Sequence, residues 1–186
     1  MKVFISYKRD VEPDEPLALR LYEALREHHD VFIDQTIPVG ADWGERIQAE
    51  LEACHYLIPL LSQHSVHSEM VAAEISTVHH LGKGHGGKPG ILPIRVAYTA
   101  PFDYPLSAYL DRLNWAFWES EADTEPLIQE LLAAIAGGEL SIAGGAAKSE
   151  IVRPTKPVDL PRPRPSASPI RLELPNGTMA PESRFY

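Results

Sequence analysis

Glu74 is the residue whose position most needs explaining. In "SEMVAAEIS" (68–76) it stands beside the small residues Ala72 and Ala73 on a stretch that reads as helix. With Ser68 as N-cap, Glu74 falls almost two turns in, past the first turn where a carboxylate offsets the helix dipole. No capping role accounts for it. It is either a solvated helix residue or a carboxylate with room beside it for a ligand. Other chemistries have weaker claims. "GKGHGGKP" (82–89) nearly matches a phosphate-binding P-loop, but it follows a helix, precedes a strand and carries Pro89 where the Mg²⁺-binding hydroxyl belongs. A surface loop is the better reading. The histidines fall in adjacent pairs (His28 and His29, His79 and His80) or in "HSVH" (His64, His67). Neighbours on a helix point about 100° apart, whereas zinc needs three or four converging ligands. We expect no metal. There is no Gly-x-Ser-x-Gly elbow, and Cys54 lies in an apolar stretch, so a nucleophilic hydrolase has little support.

The elements that must position Glu74 follow from periodicity. "KVFIS" and "DVFID" are β-rich runs, and "PLALRLYEALREHH" between them has Leu17, Leu21, Ala24 and Leu25 at helical spacing behind a proline suited to a first turn. "WGERIQAELEAC" puts Trp43, Ile47, Leu51 and Cys54 on one predicted face, and "HYLIPLLS" reads as a fully buried strand. "SEMVAAEISTVHHL" is helical again, "ILPIRVAY" is strand-like across Pro93, and "NWAFW" suits a short edge strand. "TEPLIQELLAAIAGG" is an amphipathic helix ending at Gly137 and Gly138. Alternating strands and helices predict a parallel sheet of about five strands covered on both faces, with ligands at the strands' carboxyl ends.

The 186 residues suffice for one domain and a tail, and the net charge of -9 argues against binding nucleic acid directly. A single cysteine points to a reducing compartment and so to the cytoplasm. No apolar run approaches the roughly 18 residues of a membrane span, and "MKVFISYKRD" has no secretory apolar core, so no membrane association is expected. Beyond Gly138 the composition becomes small and flexible, then dense in proline and arginine, which predicts a linker over 138–174 with locally polyproline-like backbone. Residues 175–186 regain apolar character and read as the start of a second, truncated domain.

Three separated stretches, "KVFISYKRD", "VFIDQTIPVGADWGERIQAEL" and "YLIPLLSQHSVHSEMVAAEI", occur in the order that resembles a bacterial TIR (Toll/interleukin-1 receptor) domain spanning 1–137. The resemblance implies a flavodoxin-like three-layer α/β fold, a loop from Asp34 to Trp43 used for self-association, and a catalytic role for Glu74. It also implies NAD+ as a substrate rather than a bound cofactor, cleaved to nicotinamide and ADP-ribose or a cyclic form. The protein would then be the effector of an antiphage signalling protein activated by oligomerisation. The closing "MAPESRFY" is similar to the start of ATPase-type modules that follow some bacterial TIR domains, so a C-terminal sensor or ATPase-type partner module is expected outside this chain.

One carboxylate is chemically sufficient for that reaction. Ordinary glycosidases need two, because a sugar alkoxide must be protonated as it leaves. Nicotinamide departs neutral from a pyridinium, so the enzyme has only to orient the ribose and stabilise an oxocarbenium-like transition state. Lys8 and Arg9, matching a basic pair of some family members, read either as diphosphate contacts or as surface charge. Tyr7 and Trp43 could stack on nicotinamide or adenine, although Trp43 also fits a core position. Asp34 is a turn residue or a ribose contact, Gly40 serves the loop backbone, and Ser68 begins the helix. Met70 is a departure, since many active relatives carry Trp four residues before the catalytic Glu. Positions i and i+4 share a helix face, so methionine keeps apolar bulk beside Glu74 but loses a flat stacking surface. The alternative is a non-catalytic TIR scaffold that signals by homotypic assembly, and a phosphate-binding receiver-like domain is a third reading.

Overall fold

The computed structural model describes residues 1–36, 42–84 and 87–137. The expected linker and the start of a second domain, 138–186, lie outside the described residues. Five parallel strands form a sheet in the order β2 (Asp30–Phe32), β1 (Lys2–Ser6), β3 (Tyr56–Leu61), β5 (Ile94–Val96), β6 (Ala116–Trp118), and a short β4 (Gly90–Ile91) also pairs with β3. The expected strand across Pro93 is two pieces. β4 pairs with Tyr56 and Leu57, whereas β5 pairs with Leu60 and Leu61, and Pro93, which has no N–H to donate, falls in the gap. The Pro93 carbonyl still accepts from Ala116 N–H at 3.0 Å, fixing β6 at the edge.

Strand alternation divides the core between two layers. Val3, Ile5 and Tyr7 point to the side covered by α1 (Asp14–Leu25) and α5 (Thr124–Ile135), packing with Leu17, Leu21, Leu25, Leu127 and Leu131. Phe4 points the other way and joins Phe32, Leu57 and Leu61 beneath α2 (Trp43–Ala53), α3 (Glu69–Gly84) and α4 (Leu106–Leu110). By the same alternation Ser6 belongs to the α2 and α3 side. The short α4 has no counterpart among the sequence expectations. Its Leu106 and Leu110 are buried, but five residues offer too little periodicity to be seen in a sequence.

Trp43 departs from the expected apolar face. It is the first residue of α2 and is 44% exposed, while Ile47, Leu51 and Cys54 of the same predicted face are buried. Asp42, the N-cap, accepts from Glu45 N–H at 3.0 Å, so the helix begins at the rim of the domain and its first side chain leaves the core. In α3 the buried residues are Val71, Glu74, Ile75, Val78 and Gly82, a single stripe facing the sheet. Gly82 is needed at the far end, where an added Cβ would lie 3.0 Å from the Pro89 carbonyl oxygen. The segment around it closes α3 and leads into β4, the reverse of the P-loop order. Gly137 follows α5 with φ of +99°, the left-handed turn that favours glycine.

Candidate functional site

The three stretches that resemble a family meet at the carboxyl ends of β1, β2 and β3. The parallel register pairs Val3 with Val31 and Phe4 with Phe32, and Ser6 and Asp34 each lie two residues beyond that last pair. Asp34 begins a one-turn 3-10 helix instead of extending β2, so its side chain stays at the sheet edge and is buried. From the third strand the chain runs through a 3-10 turn, Ser65–His67, to Ser68. Ser68 has extended backbone and its carbonyl accepts from Ala72 N–H at 3.0 Å, the geometry of an N-cap position as expected.

Glu74 is not a solvated residue. It is 5% exposed, and its Oε2 accepts from the Ser6 hydroxyl at 2.5 Å across 68 positions of sequence. Burial pushes its carboxyl up to about 7, and the Asp34 carboxylate adds to this, while the Ser6 hydrogen bond pulls the other way. A second carboxylate, that of Asp34, thus acts on the one singled out in the sequence. Neither Asp34 oxygen has a hydrogen-bond partner among the described residues, and its compensation is the Arg9 guanidinium, with Nε 3.5 Å from Oδ2. The Tyr7 phenol is held above its ordinary range by burial first and by the Asp34 carboxylate second. Hydrogen bonding to Asp34 also contributes to that shift, although the Tyr7 hydroxyl falls short of strict hydrogen-bond geometry to any described group.

Of the residues singled out in the sequence, Tyr7, Arg9, Asp34 and Glu74 thus act on one another. Lys8 is exposed and makes no ion pair among the described residues. Met70 is half-buried in the first turn of α3, and Trp43 stands at the surface. Gly40 lies outside the described residues. Three buried groups went unremarked in the sequence. Ser6 is the partner of Glu74. Asp14, fully buried at the start of α1, accepts from Ser62 Oγ at 2.8 Å, and the Ser62 oxygen in turn accepts from the backbone N–H of His64 and Ser65 at 3.1 and 3.2 Å. This ties α1 to the loop that starts α3. Burial raises the Asp14 carboxyl, opposed by its serine donors. Arg95 on β5 is boxed by Phe102 at 4.0 Å and Trp115 at 5.0 Å, and its Nη1 donates to the carbonyls of Ala100 at 2.8 Å and Tyr98 at 3.2 Å, pinning the loop before α4.

Elsewhere, His79 and His80 stack against Tyr109 instead of converging, and among the described residues no group of three or more His, Cys, Asp or Glu side chains could hold a metal ion. No described helix is long and apolar enough to cross a membrane. The described surface clefts lie on the outer side of α3, around Ser76, Thr77 and His80, and beside Asp10, Glu12 and Leu19. Neither of these two includes Glu74, which is 5% exposed.

A doubly wound parallel sheet with a buried carboxylate pair at its carboxyl edge defines an α/β domain of the kind that binds ligands at strand ends. A family model described as the TIR domain matches residues 3–132, and the chain belongs to that family. Comparison with curated proteins returned no match. Among solved structures, the TIR domains of the activated Roq1 resistosome, which directly recognises the pathogen effector XopQ, are 11% identical with a TM-score of 0.54, covering 72% of this chain and 98% of that one. The RPS4 and RRS1 TIR domain heterodimer is 18% identical, with a TM-score of 0.47 and coverage of 74% and 97%. A 2-deoxyribosyltransferase from the psychrotolerant bacterium Bacillus psychrosaccharolyticus is 14% identical, with a TM-score of 0.49 and coverage of 67% and 90%. At such identities the Roq1 likeness speaks for the fold alone.

Proposed function

We propose that this TIR domain cleaves the nicotinamide–ribose bond of NAD+. The observation that carries the reading is Glu74, a carboxylate borne on the buried stripe of α3 to the sheet edge and gripped there by Ser6. The bond between ribose C1′ and the pyridinium nitrogen breaks with its electron pair going to nicotinamide, which leaves neutral without a general acid. Water then adds to C1′ and loses a proton, giving ADP-ribose, or a group of the same molecule attacks to give a cyclic product. Negative charge at Glu74 stabilises the oxocarbenium-like transition state, and hydrogen bonds from the ribose hydroxyls to its oxygens orient the sugar. Tyr7, Lys8, Arg9, Asp34, Gly40, Trp43, Ser68 and Met70 line the substrate path in this reading, with the two basic residues serving the diphosphate. NAD+ is the substrate and no further cofactor is called for.

Glu74 is only 5% exposed in the single chain, and we assign the opening that admits substrate to self-association of TIR domains. A C-terminal sensor or ATPase-type module would drive it through the proline-rich linker by raising effective concentration, as an antiphage effector in the cytoplasm would need. A second reading rests on two observations, the burial of Glu74 and Met70 at the position where many active relatives carry tryptophan: a non-catalytic scaffold that signals by homotypic assembly. The two separate on nicotinamide release. Under assembling conditions the protein should release nicotinamide from NAD+ and Glu74→Ala should not; equal behaviour of the two would leave the scaffold.

A further inference from the structure

Resting on the NAD+-cleaving reading, we infer that Ser6 is the positioning residue of the site, its hydroxyl holding the Glu74 carboxylate in the orientation and ionised form that the reaction uses. Ser6 is 2% exposed and is the last residue of β1, an interior strand whose backbone is bonded to β2 on one side and β3 on the other. A donor on such a strand is among the least mobile available in the domain. Strand alternation turns Ser6 toward α3, and the buried stripe of Val71, Ile75 and Val78 turns Glu74 toward Ser6. The two meet at 2.5 Å, within the range of a charge-assisted O–H···O bond. Tyr7, one residue on, points to the opposite layer, so no neighbour on the strand could substitute.

The charged surroundings leave this role to Ser6. Asp34, from the turn after β2, is the charge that acts on Glu74, and it favours the protonated form. Arg9, from the loop after β1, is engaged with Asp34. Other elements of this layer, α2, α4 and β3, contribute apolar side chains to it: Ile47 and Leu51, Leu106 and Leu110, Leu57 and Leu61. The Ser6 hydroxyl is therefore what favours the carboxylate over the neutral acid, and it does so at the oxygen it also orients.

The test uses full-length protein with Ser6→Ala, Ser6→Thr and Ser6→Cys. The Glu74 ionisation is followed by infrared difference spectroscopy, as the carboxyl signal that Glu74→Gln removes. Ser6→Ala should move the ionisation midpoint up by about one pH unit, the effect of losing one hydrogen bond to a charged group. It should also lower kcat by about 10- to 100-fold with little change in KM, since a catalytic group is misplaced while substrate contacts survive. Ser6→Thr keeps the hydroxyl and should restore both. Ser6→Cys, of similar shape with a weak donor, should fall between, and it serves if the alanine variant does not fold. A folded Ser6→Ala or Ser6→Cys with the wild-type midpoint overturns the inference, as does a shifted midpoint with undiminished kcat. If wild type itself releases no nicotinamide, the enzymatic reading fails and with it the catalytic role, while the midpoints still decide whether Ser6 holds Glu74.

Discussion

Replacing Glu74 by Gln should stabilise the protein above neutral pH while costing a little stability in mild acid. In the unfolded chain the Glu74 carboxyl ionises at its ordinary value of 4.5, and in the folded chain at about 7. Between those values the folded state retains a proton the unfolded state has released, so stability falls as pH rises through the window, and the full cost stands above about 7. The gap is about 2.5 pH units, and at about 1.4 kcal/mol per unit it corresponds to roughly 3 kcal/mol. Glutamine cannot ionise and keeps an oxygen for Ser6, but its amide brings buried donors to be satisfied, which reduces the expected gain to about 2 kcal/mol. Urea unfolding at matched pH measures this directly. Near the ordinary carboxylate pKa the variant should be the less stable by about 1 kcal/mol, and its advantage should then grow steadily with pH, crossing zero and levelling off once pH passes 7. Asp14, also raised by burial, is present in both and cancels in the difference. Parallel pH curves would refute the reasoning, because they would mean that Glu74 ionises as a solvated carboxylate does.

Three further outcomes follow from the packing. Cys54 is buried, which pushes its thiol up to about 12, so a thiol reagent should label it only as the protein unfolds, with the labelling rate tracking denaturant. Trp43→Ala should change the unfolding free energy by less than about 0.5 kcal/mol, because that side chain is a surface residue, whereas a core tryptophan would cost about 3–5 kcal/mol. Asp14→Ala should lower stability by about 1–3 kcal/mol in denaturant titration, since it strands the Ser62 hydroxyl and unties α1 from the loop that starts α3.

The order of strands and helices was legible because each buried strand is a near-continuous apolar run and each long helix has a stripe of 3.6-residue period. Legibility failed where tertiary context overrode local pattern. Pro93 divides one apparent strand into β4 and β5, α4 is too short to show a period, and Trp43 has the spacing of a core residue but sits on the exposed first turn of its helix. Within the site, a signal for the burial of Glu74 was present in the sequence. Val71, Ile75 and Val78 place an apolar stripe on the same face as position 74. Ser6 was harder to see, because a serine at a strand end reads as the turn that closes it, and only the two-residue alternation with Phe4 points it at α3. The charge of Asp34 acts on Glu74 across a gap of 40 positions in sequence, a tertiary proximity that no local pattern encodes.

The central claim, that Glu74 acts as an anion on NAD+, is tested most directly by the pH dependence of nicotinamide release from the assembled full-length protein, read by chromatography beside Glu74→Gln. The account predicts a rate that rises through about pH 7 as the carboxylate ionises, with Glu74→Gln, the more stable protein above that pH, close to the uncatalysed rate throughout. Glu74→Gln releasing nicotinamide at the wild-type rate, or a wild type that never exceeds the uncatalysed rate once assembled, would contradict it.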